Sequence, residues 1–151
     1  MEIKIDDLQG SDVLLLLKQH LQDMYATSPT ESIHALDIEA LKHPFITFWR
    51  AEIEGVIQGC IALKELDSKH AEIKSMRTAT HARNQGIASQ LLSHVLNVAK
   101  IRSYETVSLE TGTMDYFLPA RKLYEKHGFV YCDPFGEYQF DPHSCFMTRK
   151  V

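Results

Sequence analysis

The sequence predicts a single α/β domain of the α+β kind, built on a mixed, mostly antiparallel sheet, and three observations predict it. Residues 45–78 hold β-rich runs separated by tight turn signals, so consecutive strands should fold back on one another as an antiparallel meander. Residues 86–102 then read as a strongly amphipathic helix between two strands, and a strand, helix, strand unit is a crossover that makes its flanking strands parallel neighbours. The 151 residues suffice for one packed core and are too few for two comfortable ones, so one domain over 1–151 is expected.

Taken in order, Glu2-Ile3-Lys4-Ile5 alternates polar and apolar residues at the strand period, and Gly10-Ser11-Asp12 offers a turn and a helix cap. The first helix presents Leu14, Leu17, Leu21, Met24 and Tyr25 as its buried face and stops before Ser28-Pro29. A short helix covers 37–41, ended by Pro44. The runs 45–49 and 56–61 flank a turn at Glu54-Gly55, and Asp67-Ser68 turns the chain into a strand over 71–78. In 86–102, Ile87, Leu91, Leu92, Val95, Val98 and Ala99 recur at helical spacing, with Gln90, His94, Asn97 and Lys100 opposite. A strand at 106–110 follows. Pro119 and Gly128 suit the entry and exit of a helix over 119–127, and 129–131 and 145–148 are the last strands, separated by the turn-rich 133–144.

A formal net charge of −4 gives no positive field to gather phosphate backbones, which argues against nucleic acid and for small molecules. The apolar stretch 13–17, preceded by Asp6, Asp7 and Asp12, reads as neither a secretory signal nor a membrane span, so the expected location is cytoplasmic and no membrane partner is expected. Cys60, Cys132 and Cys145 are odd in number and far apart, which favours reduced thiols. The eight histidines show no metal-ligand spacing, so no metal is expected.

The chemistry-bearing segment is Arg83-Asn84-Gln85-Gly86-Ile87-Ala88, placed between a strand ending near Thr78 and the long helix. A helix start leaves its first amides unpaired and carries partial positive charge, which attracts a pyrophosphate. Gly86 and Ala88 allow close approach to the backbone, and Arg83 adds a full charge. An isolated glycine before a helix also occurs for purely structural reasons. The segment is neither a Walker loop, since no Gly-Lys-Ser/Thr follows, nor a dinucleotide fingerprint, since the three glycines are missing.

That segment resembles the acetyl-CoA loop of the GNAT family of N-acetyltransferases, Arg/Gln-x-x-Gly-x-Gly/Ala ahead of an amphipathic helix. A second motif agrees: Ala120-Arg121-Lys122-Leu123-Tyr124-Glu125-Lys126-His127-Gly128-Phe129 is similar to the family's Ala-x-x-Leu-Tyr-x-x-x-Gly-Phe. The resemblance covers nearly the whole chain and implies the GNAT fold, with about six to seven strands and about four helices on both faces of the sheet. Leu109-Glu110-Thr111-Gly112 and Asp133-Pro134-Phe135-Gly136-Glu137-Tyr138, with Asp141-Pro142 and Ser144-Cys145-Phe146-Met147, resemble a bacterial subgroup of uncharacterised members. Two departures stand out. Phe117 occupies a position where the family often has Asn, and Asn84 replaces the first glycine of the common Arg-Gly-x-Gly run, a change tolerable where only its amide is used.

The resemblance implies transfer of an acetyl group from acetyl-CoA to a primary amine, with a small-molecule acceptor favoured over a protein amino group. The fourth and fifth strands should splay apart around the pantetheine arm, which would pair with the backbone of Met76, Arg77 and Thr78. The amides of Asn84, Gln85, Gly86, Ile87, Ala88 and Ser89 would hold the pyrophosphate, and Ala120 and Tyr124 would approach the thioester. Tyr124 is the candidate acid. Its reference pKa of about 10 against about 8.5 for a thiol makes full proton donation uphill by about 2 kcal/mol, whereas a hydrogen bond to the leaving thiolate carries no such cost. Removing a proton from an acceptor of pKa about 10.4 at neutral pH costs about 4–5 kcal/mol, so a base or water relay is needed. Glu72 and Glu110 are placed by strand order to face the cleft, as base, as partner of the substrate cation, or as solvated strand residues.

Alternation puts Glu72, Lys74, Met76 and Thr78 on one face of the strand and Ile73, Ser75 and Arg77 on the other, with Arg77 read as solvated rather than as a substrate ligand. His81 reads as structural. The acceptor pocket should form from the early helices, 27–33, and the turns near Pro134 and Tyr138. A homodimer through the last strands fits families of this shape. The competing reading is a non-catalytic acyl-CoA sensor that keeps the phosphate loop and lacks the acid and base; an ATP- or NAD-binding regulator is a third.

Overall fold

The computed structural model of the protein describes residues 1–33 and 37–151. Its elements are β1 (Glu2–Ile5), α1 (Ser11–Thr27), α2 (Ile38–Leu41), β2 (Ile46–Ile53), β3 (Val56–Glu65), β4 (His70–Thr78), α3 (Ile87–Ile101), β5 (Thr106–Gly112), α4 (Leu118–Lys126), β6 (Val130–Cys132) and β7 (Ser144–Lys150). The strands form one sheet in the order β1-β2-β3-β4-β5-β7-β6. β4 and β5 pair in parallel and every other neighbouring pair is antiparallel, as the meander and the crossover through α3 require.

The β2–β3 hairpin closes on Glu54 (φ 49°) and Gly55 (φ 78°), the left-handed pair that a two-residue turn needs to match strand twist. α3 and α4 lie where predicted to within a residue, while β5 and β7 run further together than expected, in register from Thr106↔Lys150 to Gly112↔Ser144. The expected last hairpin strand at 129–131 is displaced by one: Phe129, buried to 2% exposure, leaves the strand to pack edge-on against Tyr124.

Helices cover both faces. α3 buries Ile87, Leu91, Leu92, Val95, Leu96 and Ala99 against one side, where Trp49 of β2 meets the ring of His94. α1 covers the other side, but its buried residues are Val13, Leu16 and Leu17, and Tyr25 is 57% exposed. The expected stripe through Tyr25 is therefore corrected. Beyond Leu17 the inward positions of α1 are His20, Asp23 and Met24, which meet a polar cleft and Arg77 instead of the core. Arg50, on the α1 side of β2, is held by Asp12 at 2.6 Å, Glu52 at 2.9 Å and Asp6 at 3.3 Å, and so ties the start of α1 to the sheet. Among the described residues no helix is long and apolar enough to cross a membrane.

α3 packs tightly on β3 at Gly59, where a Cβ would stand 2.7 Å from the Arg77 carbonyl oxygen and 3.1 and 3.2 Å from Leu91 and Ile87. Two of those neighbours are side chains and the third is fixed backbone. Gly59→Ala is expected to cost about 1–3 kcal/mol, read as a lower calorimetric melting temperature; an unchanged melting point would contradict this packing.

Candidate active site

β4 is a bulged strand. Cys60 pairs with Arg77 but Ala62 pairs with Lys74, so Ser75 and Met76 together oppose Ile61, and Ser75 takes a left-handed φ of 55°. The bulge overturns the simple alternation. Residues directly opposite across a ladder share a face, so Glu72, Lys74 and Arg77 all lie on the α1 side, with Ile73 and Thr78 on the α3 side. Arg77 is corrected as well: it is 7% exposed and bonds Asp23 of α1 at 2.8 Å, so it is neither solvated nor free for substrate.

Parallel pairing of β4 with β5 covers only His70↔Thr106, Ala71↔Val107 and Glu72↔Ser108. Beyond Glu72 the two strands part, and among the described residues the β5-facing edge of Ile73 to Thr78 has no strand partner. This is the splaying expected from the family resemblance. An unpaired edge inside a sheet is a ready acceptor for an extended chain with amide groups of its own.

At the far end of β4 the chain passes through a turn at Thr80–Ala82 and enters α3. Asn84 (φ 61°) and Gly86 (φ 79°) are both left-handed. Asn is the side-chain-bearing residue that best tolerates this conformation, which explains how it replaces a glycine there. Gly86 caps α3 without a side-chain hydrogen bond, and the first intrahelical bond at this end runs from the Gln90 amide to the Gly86 carbonyl, 3.1 Å. Ile87, Ala88 and Ser89 therefore begin the helix with amides that have no intrahelical partner, next to the exposed run from Arg83 to Gly86. Arg83 stands 3.9 Å from Asp23, and the Ser89 hydroxyl meets His127 at 2.9 Å, linking α3 to α4. His81 is exposed and contributes its carbonyl to the Gln85 side chain.

Where β4 and β5 diverge a cleft opens, lined by Glu72, Met76, Glu110, Ala120 and Tyr124 among others. Glu110 lies on the same face as Glu72 by register. Burial, opposed by the Ser144 hydroxyl and the Lys74 ammonium and reinforced by Glu72 and Asp141, pushes the Glu110 carboxyl up to about 7. It is thus divided between its two forms at neutral pH, the state suited to a general base. Glu72 is 3% exposed and fully engaged: Lys74 Nζ lies 3.3 Å from Oε2, and the Tyr138 hydroxyl donates to the same oxygen at 2.5 Å. Tyr124 is 7% exposed, and burial, with the charge of Glu110 nearby, raises its phenol above the ordinary value of 10.

The sequence-derived residues thus separate into two groups: Glu72, Met76, Glu110, Ala120 and Tyr124 converge on the cleft, while Arg83 to Ser89 form the loop at the end of the split. Ser28, Ser32 and Tyr138 also line the cleft. Phe117, at the position of the family's frequent Asn, lies over Gly112, where any Cβ would collide with its ring. Sequence reasoning put the turn at Tyr138 beside the acceptor pocket, and Tyr138 does line the cleft, but it assigned no chemical role to Tyr138, Lys74 or His20. Burial beside Arg77 holds the His20 imidazole down at about 4, so it faces the cleft neutral. The one available signal was the aromatic and acidic run from Asp133 to Tyr138, whose partner β4 lies more than sixty positions earlier in the chain.

Residues 14–129 match the sequence pattern of the Acetyltransferase (GNAT) family. The chain is 54% identical over 151 residues, all of both proteins, to the uncharacterised N-acetyltransferase YsnE of Bacillus subtilis. It is 47% identical to the uncharacterised N-acetyltransferase YedL of Escherichia coli, over 99% of this chain and 94% of that one. A putative acyl-CoA N-acyltransferase from Klebsiella pneumoniae superposes with a TM-score of 0.80 at 23% identity, over 99% of this chain and 96% of that one. A GNAT acetyltransferase from Elizabethkingia anophelis, solved with acetyl-CoA bound, gives 0.71 at 23% identity, over 99% and 97%. A split sheet with a bare helix start near its mouth, joined to the family match over 14–129 and to 54% and 47% identity with named N-acetyltransferases over nearly the whole chain, makes this chain a member of the GNAT family and an N-acetyltransferase.

Proposed function

We propose that the protein transfers the acetyl group of acetyl-CoA to the primary amine of a small molecule, by direct attack of the amine on the thioester. The observation that carries this reading is Glu110, a carboxyl poised at about 7 beside the split between β4 and β5, in the same cleft as Tyr124. The amides of Asn84 to Ser89, with Arg83, would hold the pyrophosphate through charge-assisted hydrogen bonds and the helix dipole. The free edge of Met76, Arg77 and Thr78 would pair with the pantetheine arm, and the small side chain of Ala120 leaves room beside it.

Glu110 rather than Glu72 is the base in this reading, because both Lys74 and Tyr138 already occupy Glu72. Glu110 takes a proton from the acceptor ammonium, the freed lone pair attacks the acetyl carbonyl, and the carbon–sulfur bond breaks to release CoA thiolate, which takes up the second proton shed by the acylated nitrogen. Tyr124 acts as a hydrogen-bond donor to that thiolate. Its raised proton affinity keeps the phenol neutral, which suits donation of a hydrogen bond and disfavours complete proton transfer.

Calorimetric titration with CoA and acetyl-CoA, followed by release of free thiol across a panel of amines, tests the assignment; absence of CoA binding by the folded protein would refute it. Glu110→Gln is expected to lower kcat/KM about 100-fold and to remove the rise in rate through a pH of about 7. The sign for stability is opposite. A carboxyl raised in the folded state binds more protons folded than unfolded, so its ionisation lowers stability as pH increases from about 5 to about 8. Glu110→Gln should remove that decline, seen as a gain in melting temperature over the parent at the alkaline end. Tyr124→Phe should retain CoA affinity and lose about 10- to 100-fold in kcat; an unaltered kcat would take Tyr124 out of the chemistry.

A further inference from the structure

Tyr138 stands in the wall between two cavities: the cleft beside Glu110 and Tyr124, and an outer groove bordered by Glu31, Lys64 and Glu137. Lys74 and Glu72 line both. At this junction Lys74 is 9% exposed along its side chain, and its ammonium has three N–H donors. One is directed to Glu72 Oε2 at 3.3 Å and one to the Tyr138 hydroxyl at 2.8 Å. Among the described residues the third has no partner. The Tyr138 ring also lies 5.5 Å from Nζ, and its hydroxyl, held protonated by burial and by Glu72, donates to Glu72 while accepting from Lys74.

We propose that the acceptor is an amino acid, and that Lys74, pinned between Glu72 and Tyr138, receives its carboxylate while the amino group lies at Glu110. The inference rests on the acetyl-transfer reading for the placement of the amine alone.

Charge and geometry both lead there. Lys74 is close enough to Glu110 to lower its proton affinity, so a simple alkylammonium ion arriving at Glu110 meets a buried cation in the same cleft. Repulsion between like charges grows as water is excluded. A zwitterion reverses the balance, because it presents its own negative charge a few bonds from the ammonium. The Glu72–Lys74 pair likewise offers both signs within a few ångströms, and its spare donor can take a carboxylate oxygen without breaking either existing bond. A buried ion pair contributes little net stability by itself, so fold maintenance does not account for its position at the junction. The outer groove beyond Tyr138 has room for the amino-acid side chain.

Matched pairs that differ only in the carboxylate test this directly: phenylalanine with phenethylamine, leucine with isopentylamine, lysine with cadaverine. Calorimetric binding of each to the full protein with CoA present should favour the amino acid about tenfold in at least one pair, as a charge-assisted hydrogen bond implies. Lys74→Met should abolish that preference and leave the affinity for the matching plain amine unchanged or improved. Tyr138→Phe preserves both charges and loses only the two hydroxyl bonds that steer Lys74 and Glu72, so it should reduce the preference part of the way, which keeps the test open if the lysine variant folds poorly. Glu110→Gln should lose turnover and retain the preference. The proposal is overturned if no amino acid in the panel binds, if the plain amines bind as well in every pair, or if Lys74→Met keeps the preference. Failure of the Glu110 assignment would look different: Glu110→Gln would turn over at the parent rate with the amino-acid preference intact.

Discussion

The broken pairing between β4 and β5 governs the rest of the molecule. Parallel strands joined by a crossover normally continue side by side, and here they do so only from His70 to Glu72 before the bulge at Ser75 bends β4 away. Strand edges left unpaired inside a protein must be satisfied by something. The split therefore creates a backbone-lined opening, and α3, whose first amides lack intrahelical partners, begins shortly after β4 ends.

The same bulge organises the charges. By advancing the strand one residue it brings Arg77 to the side of Glu72 and Lys74, where α1 supplies Asp23 as a partner. Tyr116 and Arg83 approach that same carboxylate, at 3.3 and 3.9 Å. The last turns of α1 are thereby drawn toward the polar cleft and away from the core, which explains why His20 and Met24 line it. Glu110 is left buried in the cleft, and burial raises its proton affinity against the opposing pull of Lys74. Glu72, two residues before Lys74 on a strand and within reach of Tyr138, becomes part of a fixed ion pair.

Much of the fold was legible because its signals are local. The period of Ile87, Leu91, Leu92 and Val95 marks α3, Glu54-Gly55 marks a hairpin turn, and Pro119 and Gly128 bracket α4 to within a residue. The motif residues were legible for a related reason: a left-handed turn followed by a bare helix start needs Gly86 and a neighbour such as Asn84, and few other residues fit. Illegible were the features set by partners distant in the chain. No local pattern reveals that β4 bulges, since the bulge appears only in register with β3, and strict alternation consequently misplaced Arg77. The turn at Tyr138 was legible as part of the acceptor pocket, but its bond to Glu72 was not, because Glu72 lies far away along the chain.

The sequence by itself determined the order of elements, the mixed character of the sheet and the loop from Arg83 to Ser89, because periodicity, turn chemistry and helix capping act over a few neighbouring residues. Tertiary structure alone decided that Glu72 is held by Lys74 and Tyr138 and that Glu110 is buried until its carboxyl stands at about 7. Burial and contacts are set through space, so Glu72 and Glu110, equivalent candidates as letters in a chain, become chemically distinct only when β4, β5 and the segment bearing Tyr138 come together.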